Sequence, residues 1–97
     1  MSDASFLETL ETVIERRLKE SPDGSYTGRL AAQGTLRVAQ KVGEEAVELA
    51  IAAAAQDRAH VRAEAADLLY HLLLLLRLRD LKLADVVAEL EDRHRNA

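Results

Sequence analysis

Apolar residues recur along most of the chain at the three- and four-residue intervals of a helix, and the pattern predicts four helices with no sheet. The first runs from about Ala4 to Glu20, with Phe6, Leu10, Val13, Ile14 and Leu18 on one stripe. Its acids come early and Arg16, Arg17 and Lys19 come late, as the helix dipole favours, and Asp3 or Ser5 supplies the N-cap. Turn-forming residues from Ser21 to Gly28 end it. Gly34 and Thr35 open a second helix that continues to about Ala55, packing through Val38, Val42, Ala46, Leu49 and Ala53. After a short turn at Gln56, Asp57 and Arg58, a third helix spans about Ala59 to Arg79. A fourth, from about Leu83 to Arg95, turns Leu83, Val86, Val87 and Leu90 to the core.

The third helix is unusual in having no polar face over its leucine run, Leu72 to Leu76. A helix apolar on every side has to be covered on every side, which three short partners in one chain do poorly, so a homodimer is expected. Gly43 is the odd residue of the second helix. Glycine inside a helix costs about 1 kcal/mol relative to alanine, so its position beside Glu44 predicts a backbone closely approached by another helix or a ligand.

Two acidic patches interrupt this apolar framework. Glu44, Glu45 and Glu48 share one face of the second helix, and Glu64, Asp67 and His71 share one face of the third. Fifteen residues separate Glu48 from Glu64, enough for two antiparallel helices whose carboxylate faces meet. Like charges one turn apart already destabilise a helix by about 0.2–0.5 kcal/mol per pair, and a second facing cluster adds to that. A hard divalent cation, Mg²⁺ or Mn²⁺, relieves the conflict, since both prefer carboxylate and water oxygens. Each patch taken alone reads more readily as a solvated face; the apolar helix around Glu64 and Asp67 and the second patch one hairpin away favour the cation. His71, in apolar surroundings, reads more readily as a hydrogen-bonded core histidine than as a ligand, and Tyr70 as packing.

Composition narrows the class. At 97 residues the chain has room for one core, and residues 1–97 are read as a single domain. With only two tyrosines and one phenylalanine, that core is aliphatic. The net charge of −4, with scattered basic residues, argues against a nucleic-acid partner. The absence of cysteine excludes disulfides, thiolate metal sites and cysteine nucleophiles. The first residues lack a basic and an apolar signal region, and Leu72–Leu76 is too short to span a bilayer. A cytoplasmic protein with no membrane partner is expected. The hydroxyl- and glycine-rich stretch that includes Ser25, Tyr26, Thr27 and Gly28 is either a plain connector or a source of N–H and hydroxyl donors for a phosphate, and it carries no Walker pattern. Arg93, His94 and Arg95 end the chain's last helix as a solvated terminus or an anion contact.

Ser25-Tyr26-Thr27, Leu30, Gly34, the run Gln40-Lys41-Val42-Gly43-Glu44-Glu45-Ala46-Val47-Glu48 and the run Glu64 to Leu72 together resemble the phosphoribosyl-ATP pyrophosphohydrolases of histidine biosynthesis. The likeness covers essentially the whole chain. That family is part of the all-α nucleoside triphosphate pyrophosphohydrolases, a group similar to the MazG and dimeric dUTPase enzymes. The wider signature, Glu-x-x-Glu followed by Glu-x-x-Asp, falls on Glu45, Glu48, Glu64 and Asp67. The resemblance implies an all-α four-helix bundle, dimeric, that converts phosphoribosyl-ATP and water to phosphoribosyl-AMP and pyrophosphate with Mg²⁺. It implies a metal cage of Glu45, Glu48, Glu64 and Asp67, with Glu44 orienting water, and it points to Ser25, Tyr26, Thr27, Gly34 and Lys41 as substrate contacts. Lys41 lies one turn from Glu45, so a structural salt bridge competes with a phosphate contact. Two other readings stand beside this one: a general nucleotide pyrophosphohydrolase, and a non-catalytic helical dimerisation module.

Overall fold

The chain folds where its caps and apolar spacing direct it. A computed structural model describes residues 4–97, and among these residues are five α-helices and no strand: α1 Phe6–Lys19, α2 Tyr26–Ala32, α3 Thr35–Ala55, α4 Arg58–Leu78 and α5 Leu83–Arg95, with a 3₁₀ turn at Pro22–Gly24. Of the two residues expected to cap α1, Ser5 occupies the N-cap position and Asp3 lies outside the described residues.

The fifth helix is the main departure from the expected four. Ser25 to Gly28, read as turn or connector from its hydroxyls and glycine, instead opens α2. Ser25 has extended backbone, and its Oγ accepts the Gly28 N–H at 3.0 Å, which satisfies an otherwise unpaired donor of the first turn. A Cβ on Gly28 would lie 3.0 Å from the Pro22 carbonyl oxygen, so glycine lets the 3₁₀ turn and α2 pack closely. Gly34 serves the join between α2 and α3. It is the N-cap residue of α3 and has φ of +100°, a left-handed conformation that glycine adopts without strain. The loop chemistry was there in the sequence, but it serves as a cap and two junctions.

The helices α3 and α4 are each 21 residues long and make the most extensive contact in the molecule. Only Gln56 and Asp57 lie between them, so they form an antiparallel hairpin. Asp57 caps α4, its Oδ1 accepting the His60 N–H at 3.0 Å. The core is aliphatic as expected: Ile14 from α1, Leu30 from α2, Val38 from α3, and Leu73 and Leu74 from α4 are buried together. Leu72, Leu75 and Leu76 are half-buried in the same fold, so much of the leucine run is covered within one chain.

On α3 the buried line is Val38, Glu45 and Ala52, with Val42 and Leu49 half-buried between them, whereas Ala46 and Ala53 face solvent. The stripe is therefore rotated from the one predicted, and a carboxylate sits in it. Gly43 is exposed, with nothing within 4 Å of the position a Cβ would take, so no close approach explains it.

At the other end of the chain, Leu83 packs on the core and its N–H donates to Glu11 Oε2 at 2.7 Å. Val87 and Leu90, expected in the core, are exposed. The first half of α5 and α1 flank a cavity of about 460 Å³ lined in part by Glu8, Glu15, Lys82 and Val87. No described helix is long and apolar enough to cross a membrane.

Candidate active site

The α3–α4 hairpin brings the two acidic patches together. Glu45 and Glu48, one turn apart on α3, meet Glu64 of α4, each offering a carboxylate oxygen within 4.8 Å of the others. The three sit at different depths: Glu45 is buried, Glu64 half-buried and Glu48 exposed. Such a trio suits a hard cation that binds to protein on one side and to solvent or substrate on the other.

Glu64 carries the electrostatic consequence. Desolvation pushes its carboxyl above the usual carboxylate range, reinforced by the neighbouring Glu48 carboxyl and by the charges of Asp67 and Glu45. Its Oε2 is fully enclosed yet has no hydrogen-bond donor among the described residues. A buried carboxylate oxygen without a donor is costly, and a divalent cation is the partner that fits an oxygen whose neighbours are other carboxylates. The donor set, all oxygen and anionic, suits Mg²⁺ or Mn²⁺ better than a soft metal.

Asp67, assigned with them from the sequence, is exposed and lies outside this trio, although its charge acts on Glu64. Glu44 is also outside and pairs with Arg37, whose Nη1 lies 3.6 Å from Glu44 Oε1. That Nη1 is enclosed and makes no hydrogen bond among the described residues. Lys41 Nζ lies 3.6 Å from Glu45 Oε1. Arg37 and Lys41, one turn apart on α3, therefore put two cationic groups next to the acidic face.

Behind the trio is a polar network that sequence reasoning only half anticipated. His71, expected to be a hydrogen-bonded core residue, is one. Its Nδ1 lies 2.8 Å from the Asp67 carbonyl oxygen and 3.2 Å from Glu45 Oε1, and its Nε2 lies 2.7 Å from the Tyr26 hydroxyl. Both Tyr26 and Tyr70 meet the His71 ring edge to face. Tyr70 is more than packing: its hydroxyl receives a hydrogen bond from Arg17 Nη1 at 3.1 Å and is also bonded to the Thr27 hydroxyl. Thr27 is fully buried, Tyr26 keeps an exposed flank, Ser25 Oγ is engaged by Gly28, and Gly34 lies at the α3 cap. The signal for this network was the Tyr-Thr pair in α2 and the Tyr-His pair in α4, but nothing in the sequence showed that they face each other.

A helical hairpin with converging carboxylates, backed by buried hydrogen bonds and flanked by two cations, has the features of a metal-assisted phosphate-handling enzyme. The family model of phosphoribosyl-ATP pyrophosphohydrolase matches residues 7–94, nearly the whole chain, and the protein belongs to that family. With the family comes the enzyme class, a hydrolase. The chain is 58% identical over 89 residues to the phosphoribosyl-ATP pyrophosphatase of Pyrobaculum neutrophilum, covering 92% of this chain and 95% of the relative. It is 55% identical over 87 residues to the phosphoribosyl-ATP pyrophosphatase of Agrobacterium fabrum, covering 90% and 81%. A third relative is the histidine biosynthesis bifunctional protein HisIE of Xanthomonas campestris, 53% identical over 92 residues. This chain spans only 45% of that longer protein.

Proposed function

We propose that this chain, as one all-α domain, hydrolyses phosphoribosyl-ATP to phosphoribosyl-AMP and pyrophosphate in histidine biosynthesis, and that it does so with a divalent cation, Mg²⁺ or Mn²⁺. The observation that carries the reading is the enclosed, donorless Glu64 oxygen among the carboxylates of Glu45 and Glu48, in a chain of this family. Glu45, Glu48 and Glu64 would hold the cation, with Asp67 as a fourth ligand after a change of side-chain rotamer. When bound, the cation supplies neutralisation of the triphosphate and of the departing pyrophosphate.

The chain's own residues do the rest. Lys41 and Arg37 attract the phosphates not held by the carboxylate trio, because cations next to an anionic site steer and orient a polyphosphate. Glu44, on the exposed side of α3, accepts a hydrogen bond from the attacking water and so aims it. Ser25, Tyr26, Thr27 and Gly34 shape the substrate side through α2 and its caps. The four-helix bundle expected of the family then consists of α1, α3, α4 and α5, with α2 filling the junction between α1 and α3. The domain works as a homodimer in the cytoplasm, and exposed apolar side chains on α3 and α4, Val47, Ile51 and Leu69 among them, support the dimer.

The test is direct: incubate the purified protein with phosphoribosyl-ATP and Mg²⁺ and assay pyrophosphate. Stoichiometric pyrophosphate and phosphoribosyl-AMP are expected. Release of pyrophosphate from dUTP or other nucleoside triphosphates but not from phosphoribosyl-ATP would overturn the substrate assignment, and no release from any triphosphate would overturn the activity.

A further inference from the structure

The most exposed member of the carboxylate trio has solvent to hold it, but the most buried member, Glu45, has to be held by protein. Its Oε1 is approached by two groups, Lys41 Nζ at 3.6 Å and His71 Nδ1 at 3.2 Å. The histidine is the better defined of the two. A backbone carbonyl can only accept, so the 2.8 Å contact with the Asp67 oxygen puts the proton on Nδ1. The same Nδ1 lies 3.2 Å from Glu45 Oε1, so the N–H dipole fixed by that bond also attracts the carboxylate. In the neutral ring Nε2 is then an acceptor, and the Tyr26 hydroxyl, 2.7 Å away, donates to it. Tyr26 on α2 thus fixes which nitrogen of His71 on α4 carries the hydrogen and how the ring is turned, and His71 fixes an oxygen of Glu45 on α3.

We propose that the Tyr26–His71 pair is a positioning device for cation binding: it holds Glu45 Oε1 so that the other carboxylate oxygen faces the site. The inference rests on the cation-binding reading given above and deepens it. Neither residue touches the cation or the substrate's reacting atoms in this role. Three features support it. His71 is nine-tenths or more buried and all its polar contacts are accounted for, so its nitrogens are committed to these partners. The chain linking α2, α4 and α3 ends on the most buried member of the trio. The edge-on contacts of Tyr26 and Tyr70 leave the ring little freedom to turn. Groups that orient a metal's ligands typically contribute 10- to 100-fold to metal affinity.

The experiment measures Mn²⁺ affinity of the full chain by titration calorimetry, independently of turnover, for wild type, Tyr26→Phe, His71→Asn, His71→Leu and the double variant Tyr26→Phe/His71→Leu, with Glu48→Gln as a cage control. Tyr26→Phe keeps the ring and removes only the hydroxyl, so it guards against a folding failure. It is expected to weaken Mn²⁺ binding about 10-fold. His71→Asn, whose amide N–H can stand in for Nδ1–H, should retain more affinity than His71→Leu. In the His71→Leu background, loss of the Tyr26 hydroxyl should cost nothing further, because Tyr26 acts through His71. Nitrogen NMR of the metal-free wild type should show the Nδ1–H tautomer, and Tyr26→Phe should shift the Nε2 resonance. Affinities within twofold of wild type for both Tyr26→Phe and His71→Leu, with Glu48→Gln impaired, would overturn the positioning role and leave the cage intact. A wild-type protein that binds no Mn²⁺ would overturn both.

Discussion

A carboxylate oxygen of Glu64 on α4 lies within 4.8 Å of one of Glu48 on α3, and the proton that this proximity favours has a direction in pH. Because burial and neighbouring carboxylates raise the Glu64 pKa, the folded metal-free protein keeps this proton over a range in which the unfolded chain has lost it. The stabilising contribution is present below the unfolded value and is lost as pH rises through the folded one. Thermal melts in chelator should therefore show stability falling with pH across that window, and Glu64→Gln should flatten this part of the profile. Added Mn²⁺ reverses the trend, since the cation needs the carboxylate and competes with the proton. A metal-free profile of Glu64→Gln that matches wild type across the window would contradict the assignment.

Replacing Glu48 or Asp67 by its amide separates ligation from negative charge. Glu48→Gln removes a charged hard ligand at constant size, so Mn²⁺ affinity and turnover should fall together by 10-fold or more, on the order expected for a ligand contact, while the fold survives. The metal-free protein should be no less stable, because one member of a repelling cluster has gone. Asp67 lies outside the trio, so Asp67→Asn should have a smaller effect on Mn²⁺ affinity than Glu48→Gln. Glu91 provides the control: it is exposed, whereas Glu11 holds the first N–H of α5 and its loss would disturb the fold.

How far the sequence carried these conclusions depended on range. Spacing within one helix was enough to put Glu45 and Glu48 on one face of α3, and a short turn was enough to predict that Glu64 would meet them. The α2 helix was hidden because its cap, Ser25, and its packing residue, Gly28, have the composition of a loop. The exposed α5 face was misread because amphipathic spacing tells which side is apolar and not whether anything in the same chain covers it. Tyr70 and Thr27 lie 43 positions apart, and only the packing of α2 on α4 brings their hydroxyls together.

Tyr70 gives a stability prediction of its own. Its hydroxyl joins Arg17 of α1 and the fully buried Thr27 of α2, so Tyr70→Phe leaves the Thr27 hydroxyl enclosed without that partner. An unsatisfied buried hydroxyl costs about 1–3 kcal/mol, and chemical denaturation should report a loss in that range. Thr27→Val in the same background removes the orphaned group and should recover part of it. If the double variant is less stable than Tyr70→Phe alone, the hydroxyl pair is not the source of the loss.

Lys41 presents two roles that kinetics can tell apart. The i,i+4 pair with Glu45 joins a half-buried lysine to a buried carboxylate, so a purely structural role predicts that Lys41→Met lowers the melting temperature and leaves KM unchanged. A phosphate contact predicts instead a rise in KM of about 10-fold or more, on the scale of a charge-assisted hydrogen bond. Arg37→Met should behave in the same way, with its enclosed, unbonded Nη1 engaged by substrate. An unchanged KM in both variants would restrict these residues to their ion pairs.

The apolar surface of α3 makes the last prediction. Val47 and Ile51, one turn apart, are 59% and 53% exposed, and Leu36 near the start of the same helix is 88% exposed. A single exposed leucine needs no explanation, but three large apolar side chains on one helix, beside a half-covered leucine-rich partner, leave apolar area that a second copy of the chain would bury. Area removed from water stabilises by about 25 cal/mol per Å², so a dimer interface centred on Val47 and Ile51 should be lost when either becomes charged. Light scattering at micromolar concentration is expected to give twice the chain mass for wild type and the chain mass for Val47→Glu/Ile51→Glu. The melting temperature of wild type should rise with protein concentration, and that of the variant should not. Since Glu48 adjoins Val47 on α3, the charged variant should also lose turnover if the partner chain helps to close the substrate site. A wild-type monomer at micromolar concentration would rule out the dimer and with it any shared site.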